Sequence, residues 1–228
     1  MISITIPTYE MNGVGELFFE NSLTYISKQT FKEFEVVVSD HSESDGIQNI
    51  CLKFNTLDIN YIRNRENRGS SSANLNNAIQ HSKYGIIKFL MQDEYLYDEN
   101  TLLDIKKMFD DEKINWVATG CLYGHSPDKQ IGKMIPIYND KIIEGENTIG
   151  SPSVVSVRKT NDLELFDKDL IWLMDCDYYK RLYDKWGNPT VISDYKIFVN
   201  QHKNQVTNKI SSNLKKMETE LVKKRYQK

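Results

Sequence analysis

Five short apolar, mostly β-branched runs alternate with segments of helical spacing across the first 119 residues, and this alternation constrains the fold more than any other feature. The runs are Ile2–Ile6, Phe34–Val38, Ile59–Arg63, Ile86–Leu90 and Trp116–Thr119. Between them, helices are predicted over Glu16–Lys28 (apolar Leu17, Phe18, Leu23 and Ile26), Gly46–Phe54, Ser71–His81 and Glu99–Phe109. Strands without a polar face, separated by helices, are the pattern of parallel βαβ units. The expected fold class is therefore α/β, a Rossmann-like, mostly parallel sheet with helices on both faces.

After Gly120 the rhythm breaks. Short β-like stretches are predicted near Lys133–Tyr138 and Ser153–Val157, and a helix over Asp175–Tyr183. This 120–208 portion reads as a smaller, mixed region. The chain has 228 residues, 39% hydrophobic and 27% charged, which suits one globular unit over 1–208. The last segment, 209–228, carries six lysines and one arginine against two glutamates, so it is +5 where the remainder is −8. Ile210, Leu214, Met217 and Leu221 share a helical face there. The segment is expected to be a basic amphipathic helix, lying on its own domain, on a partner subunit or on an anionic membrane.

Several classes are excluded. The net charge of −3 does not suggest a nucleic-acid partner. No apolar run is long enough to span a bilayer. MISITIPTYE shows no basic start or cleavage site, so no leader is expected and the expected location is cytoplasmic, with peripheral membrane contact through the tail. Cys51, Cys121 and Cys176 have no metal-ligand spacing. Neither G-x-G-x-x-G nor G-x-x-x-x-G-K-[ST] occurs, which disfavours dinucleotide-binding enzymes and P-loop NTPases.

In a parallel sheet, the loops after the strands gather on one edge, where ligands bind. Here they bring Pro7-Thr8-Tyr9, Asp40 and Asp93-Glu94 together. A carboxylate accepts a base N–H, a threonine hydroxyl bonds a ribose or base edge, and a second carboxylate holds a hard cation on a diphosphate. Residues 1–119 are thus expected to bind a nucleotide.

These residues carry a resemblance. ISITIPTYE, QTFKEFEVVVSDHSESD, NRGSSSANLNNAI, IIKFLMQDEYLY, GSPSVVSVRK and DLIWLMDCDYYKRL resemble, in order, six motifs of glycosyltransferase family 2. The resemblance implies a GT-A fold and transfer of a sugar from a nucleoside-diphosphate sugar to a glycan or lipid-linked acceptor, with inversion. It implies a uridine donor in contact with Pro7, Thr8, Tyr9, Asp40, Asn67, Gln92 and Asp93. It implies Mn²⁺ or Mg²⁺ on Asp93 and His202, and Asp175 as the catalytic base. Ser39 stands where an Asp is common, and Met91 replaces the first Asp of D-x-D. A nucleotidyltransferase on a related fold and a non-catalytic sugar-nucleotide or glycan-binding module are the competing readings. Local alternatives also exist. Asp40 and Asp93 could cap helices, Asp175 and Asp177 could serve a helix dipole, Arg68 could be a surface residue, and Trp172 could border an acceptor sugar or belong to the core.

Overall fold

A computed structural model describes residues 1–226; Gln227 and Lys228, the end of the predicted tail, lie outside the described residues. The predicted alternation is present. Strand β1 (Ile2–Thr8) is followed by α1 (Gly15–Ser27), β2 (Phe34–Asp40), α2 (Gly46–Lys53), β3 (Ile59–Arg63), α3 (Ser71–Gln80) and β4 (Ile86–Phe89). β1, β2 and β4 are buried along their whole length, as their continuous apolar runs require. The strand order β3-β2-β1-β4 is parallel throughout. The chain walks outward from β1 to β3, then returns to β4 on the far side of β1. Right-handed crossovers therefore put α1 and α2 on one face and α3 on the other.

The sheet continues through β8 (Val155–Arg158), β6 (Trp116–Ser126), β9 (Thr190–Asn200) and β5 (Glu94–Leu96), with β7 (Lys129–Met134) paired to β6. β8, β5 and β7 run against the other six described strands, so the sheet is mostly parallel with a mixed half. α4 (Thr101–Met108) lies between β5 and β6, and α5 (Met174–Trp186) precedes β9. One hydrophobic cluster runs from Ile2 through Trp116 and Tyr178 to Val222, joining both halves.

The structure corrects three expectations. β9 lay outside the predicted strands because Ser193, Asp194 and Lys196 interrupt its apolar pattern; its register against β6 also shifts beside Gly120. Lys196 is tolerated there because Asp98 and Asp104 hold its ammonium at 3.2 and 2.7 Å. The β-like stretch at Lys133–Tyr138 is displaced to β7, an exposed hairpin arm. In α1 the inward face is Phe19, Leu23 and Ile26, while Leu17 is 60% exposed. α6 (Ser212–Tyr226) turns Glu218 and Val222 inward and leaves Met217 and Leu221 exposed. Polar pairing with the domain together with the buried Val222 sets its orientation.

Candidate active site

The carboxyl ends of β1 and β4 open onto a cavity of about 590 Å³. Its far wall is the turn at 145–152 and the start of α5. Of the residues expected at the site, Pro7, Tyr9, Gln92, Asp93 and Asp175 line the cavity.

On the β1 side, Gln92 staples the loop. Its Oε1 accepts from the Tyr9 N–H at 2.9 Å, and its Nε2 donates to the carbonyls of Tyr9 and Gly15 at 3.0 and 2.7 Å. With its amide fully used, Gln92 positions Tyr9. A Cβ on Gly15 would sit 2.1 Å from the Tyr9 carbonyl, so only glycine lets this loop close onto α1. Tyr9 presents a half-buried ring to the cavity, and its hydroxyl pKa is raised by burial and by Asp93.

Thr8 and Asp40 lie behind that wall and are fully buried. The Asp40 carboxylate accepts from Thr8 Oγ1 at 3.1 Å, from the Ser42 N–H at 2.9 Å and from Tyr61 Oη at 2.8 Å, and Arg63 Nε stands 3.6 Å away. Four partners thus converge on one buried carboxylate. Asn67, in a left-handed conformation (φ 49°), is exposed in the loop before α3 and does not line the cavity. Arg68 donates to the carbonyls of His41 and Ser42 at 3.0 and 2.9 Å, so it braces a loop.

Asp93 and His202 come together from 109 residues apart: Nε2 of the imidazole is 2.6 Å from Oδ2 of the carboxylate. The ring stacks on Phe18 at 4.4 Å, and its Nδ1 accepts from the Asn204 N–H at 3.2 Å. Nδ1 is therefore the acceptor, and Nε2 carries the proton donated to Asp93. Asp93, which lines the cavity, fits a divalent cation that takes its remaining ligands from a diphosphate, whereas His202 could join only by giving up the Nε2 proton and the Asn204 N–H bond. Among the described residues, no group of three or more His, Cys, Asp or Glu converges for a metal. Met91, at the first position of the expected D-x-D, puts a thioether into the cavity wall.

Next to Asp93, Glu94 is 5% exposed and accepts from Ser151 Oγ at 2.6 Å. Burial and the neighbouring Asp93 charge raise its pKa. Lys88, fully buried nearby, donates to the Ser153 carbonyl, and burial lowers its pKa.

Asp175 opens α5. Its Oδ1 accepts from the Cys176 N–H at 2.8 Å and its Oδ2 from Asn147 Nδ2 at 2.8 Å. Burial raises its pKa to about 6 against the opposing pull of those hydrogen bonds. A carboxyl poised there near neutrality, with lone pairs left over, can accept a proton. Asn147 was not foreseen. Its Oδ1 accepts from the N–H groups of Ile149 and Gly150, so it orders its own turn while reaching Asp175. Trp172 lies against Gly145 (φ 91°), where a Cβ would be 2.5 Å from the indole, and the ring borders the cavity. Asp177 points away from the cavity into a cluster with Arg181, Arg225 and Tyr226.

A parallel nucleotide-type sheet edge joined to a mixed half that carries a poised carboxylate defines a GT-A architecture. The family model for glycosyl transferase family 2 matches residues 3–154, two thirds of the sequence, and the chain belongs to that family. It is 23% identical to the hyaluronan synthase of Pasteurella multocida, the alignment covering 86% of this chain and 22% of that protein. The chain thus spans about a fifth of the length of this curated relative. Among solved structures, S. aureus TarS residues 1–349 in complex with UDP-GlcNAc matches with a TM-score of 0.73 and 20% identity, over 92% of this chain and 61% of that one. The mannosyltransferase PcManGT from Pyrobaculum calidifontis, in complex with GDP-Man and Mn²⁺, matches with a TM-score of 0.64 and 17% identity, over 89% and 57%. At these identities the likeness concerns the fold.

Proposed function

We propose that this chain is an inverting glycosyltransferase that moves a sugar from a uridine-diphosphate donor to an acceptor hydroxyl in glycan biosynthesis. The observation that carries the reading is Asp175, raised to about 6, facing the same cavity as Asp93, which His202 holds from behind. An alcohol is a weak nucleophile, so a base must take its proton as the new C–O bond forms. Asp175 takes that proton on a carboxylate oxygen while the acceptor oxygen attacks the anomeric carbon. The bond to the diphosphate breaks on the opposite face, which inverts the centre. Asn147 and the Cys176 N–H hold the carboxylate in one orientation throughout. Tyr9 offers a ring face to the base, and Trp172 offers one to the acceptor sugar.

Asp93 would hold Mn²⁺ or Mg²⁺, with His202 joining it once Nε2 has lost its proton and Nδ1 has released the Asn204 N–H, and the cation would stabilise the charge developing on the leaving diphosphate. The UDP-GlcNAc complex of TarS supports a uridine donor, and the GDP-Man and Mn²⁺ complex of PcManGT supports a cation. Asp40 would read the base only after Tyr61 or Arg63 releases an oxygen. Among the described residues no helix is long and apolar enough to cross a membrane. The exposed side of α6, with Lys216, Met217, Leu221 and Lys224, is where an anionic membrane or a second subunit would meet the protein.

The test is a binding screen of nucleotide sugars by native mass spectrometry, followed by transfer assays on glycan acceptors. The expected result is selective retention of a uridine-diphosphate sugar and release of UDP that depends on acceptor. Equal retention of uridine, guanosine and cytidine donors overturns the donor assignment. Retention without turnover, across acceptors, overturns the enzymatic one.

A further inference from the structure

We propose that α6 is the positioning element of the catalytic base, acting through Glu218 and Arg225. This inference rests on Asp175 being that base. Glu218 is 4% exposed although its helix lies at the surface. Its carboxylate accepts from three successive backbone N–H groups: Ile171 and Trp172 at 2.9 Å, and Leu173 at 2.9 Å. These are the residues that lead into α5, and all three border the cavity. Leu173 is the N-cap of α5, so its N–H has no partner within the helix, and a carboxylate there is favoured by the helix dipole as well. The partner comes from about 45 residues downstream, which makes the geometry of the base loop conditional on α6.

The second grip is on the other side of Asp175. Arg225 Nη1 donates to Asp177 Oδ1 at 2.7 Å and its Nη2 to Asp167 Oδ2 at 2.7 Å. Tyr226 Oη donates to the same Asp177 oxygen at 2.9 Å, and Arg181 holds the other at 3.0 Å. Glu218, Val222, Arg225 and Tyr226 are spaced to share one helical face, so one face of α6 spans the segment from 167 to 177. A third contact reaches the other support of the base. Lys223 pairs with Glu144 at 3.3 Å, in the turn that leads to Asn147. Asp175 thus sits between two points fixed by α6, and its side-chain partner Asn147 follows a third.

Neither Glu218 nor Arg225 touches the cavity, so their effect passes through the placement of Asp175. Misplacing a reacting group by about an ångström costs on the order of 100-fold in rate. Glu218→Gln replaces one acceptor oxygen with an amide that faces N–H groups. The expected result is a kcat lower by roughly 10- to 100-fold, with the donor KM and Kd within about twofold of wild type. The acid limb of the kcat–pH profile should move, because the surroundings of Asp175 change. Glu218→Asp should recover part of the loss. Arg225→Lys, which keeps the charge and loses the two-way hydrogen bonding, should show a smaller effect of the same kind, and it carries the test if Glu218→Gln does not fold.

An unchanged kcat, or a loss explained by the fraction of folded protein with an unmoved pH profile, overturns the proposal. A parallel assay of Asp175→Asn separates the two levels. If Asp175→Asn is dead and Glu218→Gln is fully active, only the positioning role fails. If Asp175→Asn turns over normally, the reading of the base fails and the positioning role fails with it.

Discussion

Asp40 and Asp175 are both aspartates that a strand end or loop brings near the cavity, yet only Asp175 lines it and their surroundings differ in kind. Asp40 is fully buried, and Thr8, Ser42, Tyr61 and Arg63 converge on it. Asp175 borders the cavity with one hydrogen bond to each oxygen and a pKa raised to about 6. A carboxylate saturated by the protein ties β1, β2 and β3 together. A carboxylate that burial disfavours as an anion, and that keeps free lone pairs, is prepared to take a proton. Sequence type and loop position alone do not separate the two; the number of partners does.

The comparison breaks most sharply on Asp175→Asn. The substitution is nearly isosteric and removes the proton acceptor, so turnover should fall by roughly 10²–10⁴-fold while donor binding holds. Calorimetry alongside a transfer assay measures both. Retention of more than about a third of wild-type turnover would remove Asp175 from the base role.

Asp40→Ala should do the opposite, acting on the fold before chemistry. It leaves Tyr61 and the Ser42 N–H without their acceptor, shifts Thr8 Oγ1 wholly onto the Ser39 carbonyl and removes the partner of Arg63, a loss of about 3 kcal/mol of stability readable in urea unfolding. A variant as stable as wild type that no longer prefers uridine donors would return Asp40 to direct base reading.

A third measurement concerns the cation. Asp93→Asn keeps the shape and removes the charge, so Mn²⁺- or Mg²⁺-dependent donor binding should weaken by about tenfold or more. Turnover in EDTA equal to turnover with added metal would sink the assignment of Asp93 and His202.

The pH dependence follows from Asp175 with a definite sign. The base is competent only when ionised, and burial moves its ionisation up to about 6. The rate should therefore rise with pH and level off above that value, where an exposed aspartate would already have levelled near about 4. A kcat flat through that range in the wild type argues against a buried base.

The smallest expected effect lies on α6. Each exposed lysine near an anionic leaflet contributes about 1 kcal/mol, so Lys216 and Lys224 should give weak, salt-sensitive sedimentation with phosphatidylserine vesicles. No sedimentation at low salt would leave α6 with contacts inside the domain or with a second subunit.

By itself the sequence determined the parallel half. β1, β2, β4 and the intervening helices follow from runs of Ile, Val and Phe and from helical spacing, because burial on both faces of a strand leaves a local apolar signature. The position of Asp175 at the head of a helix was legible for the same reason, as was the gathering of Pro7, Tyr9 and Asp93 at one edge. What the tertiary structure decided were the pairings made across distance. Asp93 meets His202 through β9, a strand whose polar residues hid its pattern until Asp98 and Asp104 paired its lysine. Tyr61 and Arg63 close over Asp40 only because β3 pairs with β2. Which side of α6 meets its own domain was likewise decided by the tertiary structure, where Glu218 satisfies three backbone N–H groups and Arg225 bridges two aspartates beside the buried Val222, while Met217 and Leu221 stay exposed. Periodicity records what a segment buries, whereas a hydrogen-bonding partner from a distant segment leaves no trace in the local pattern.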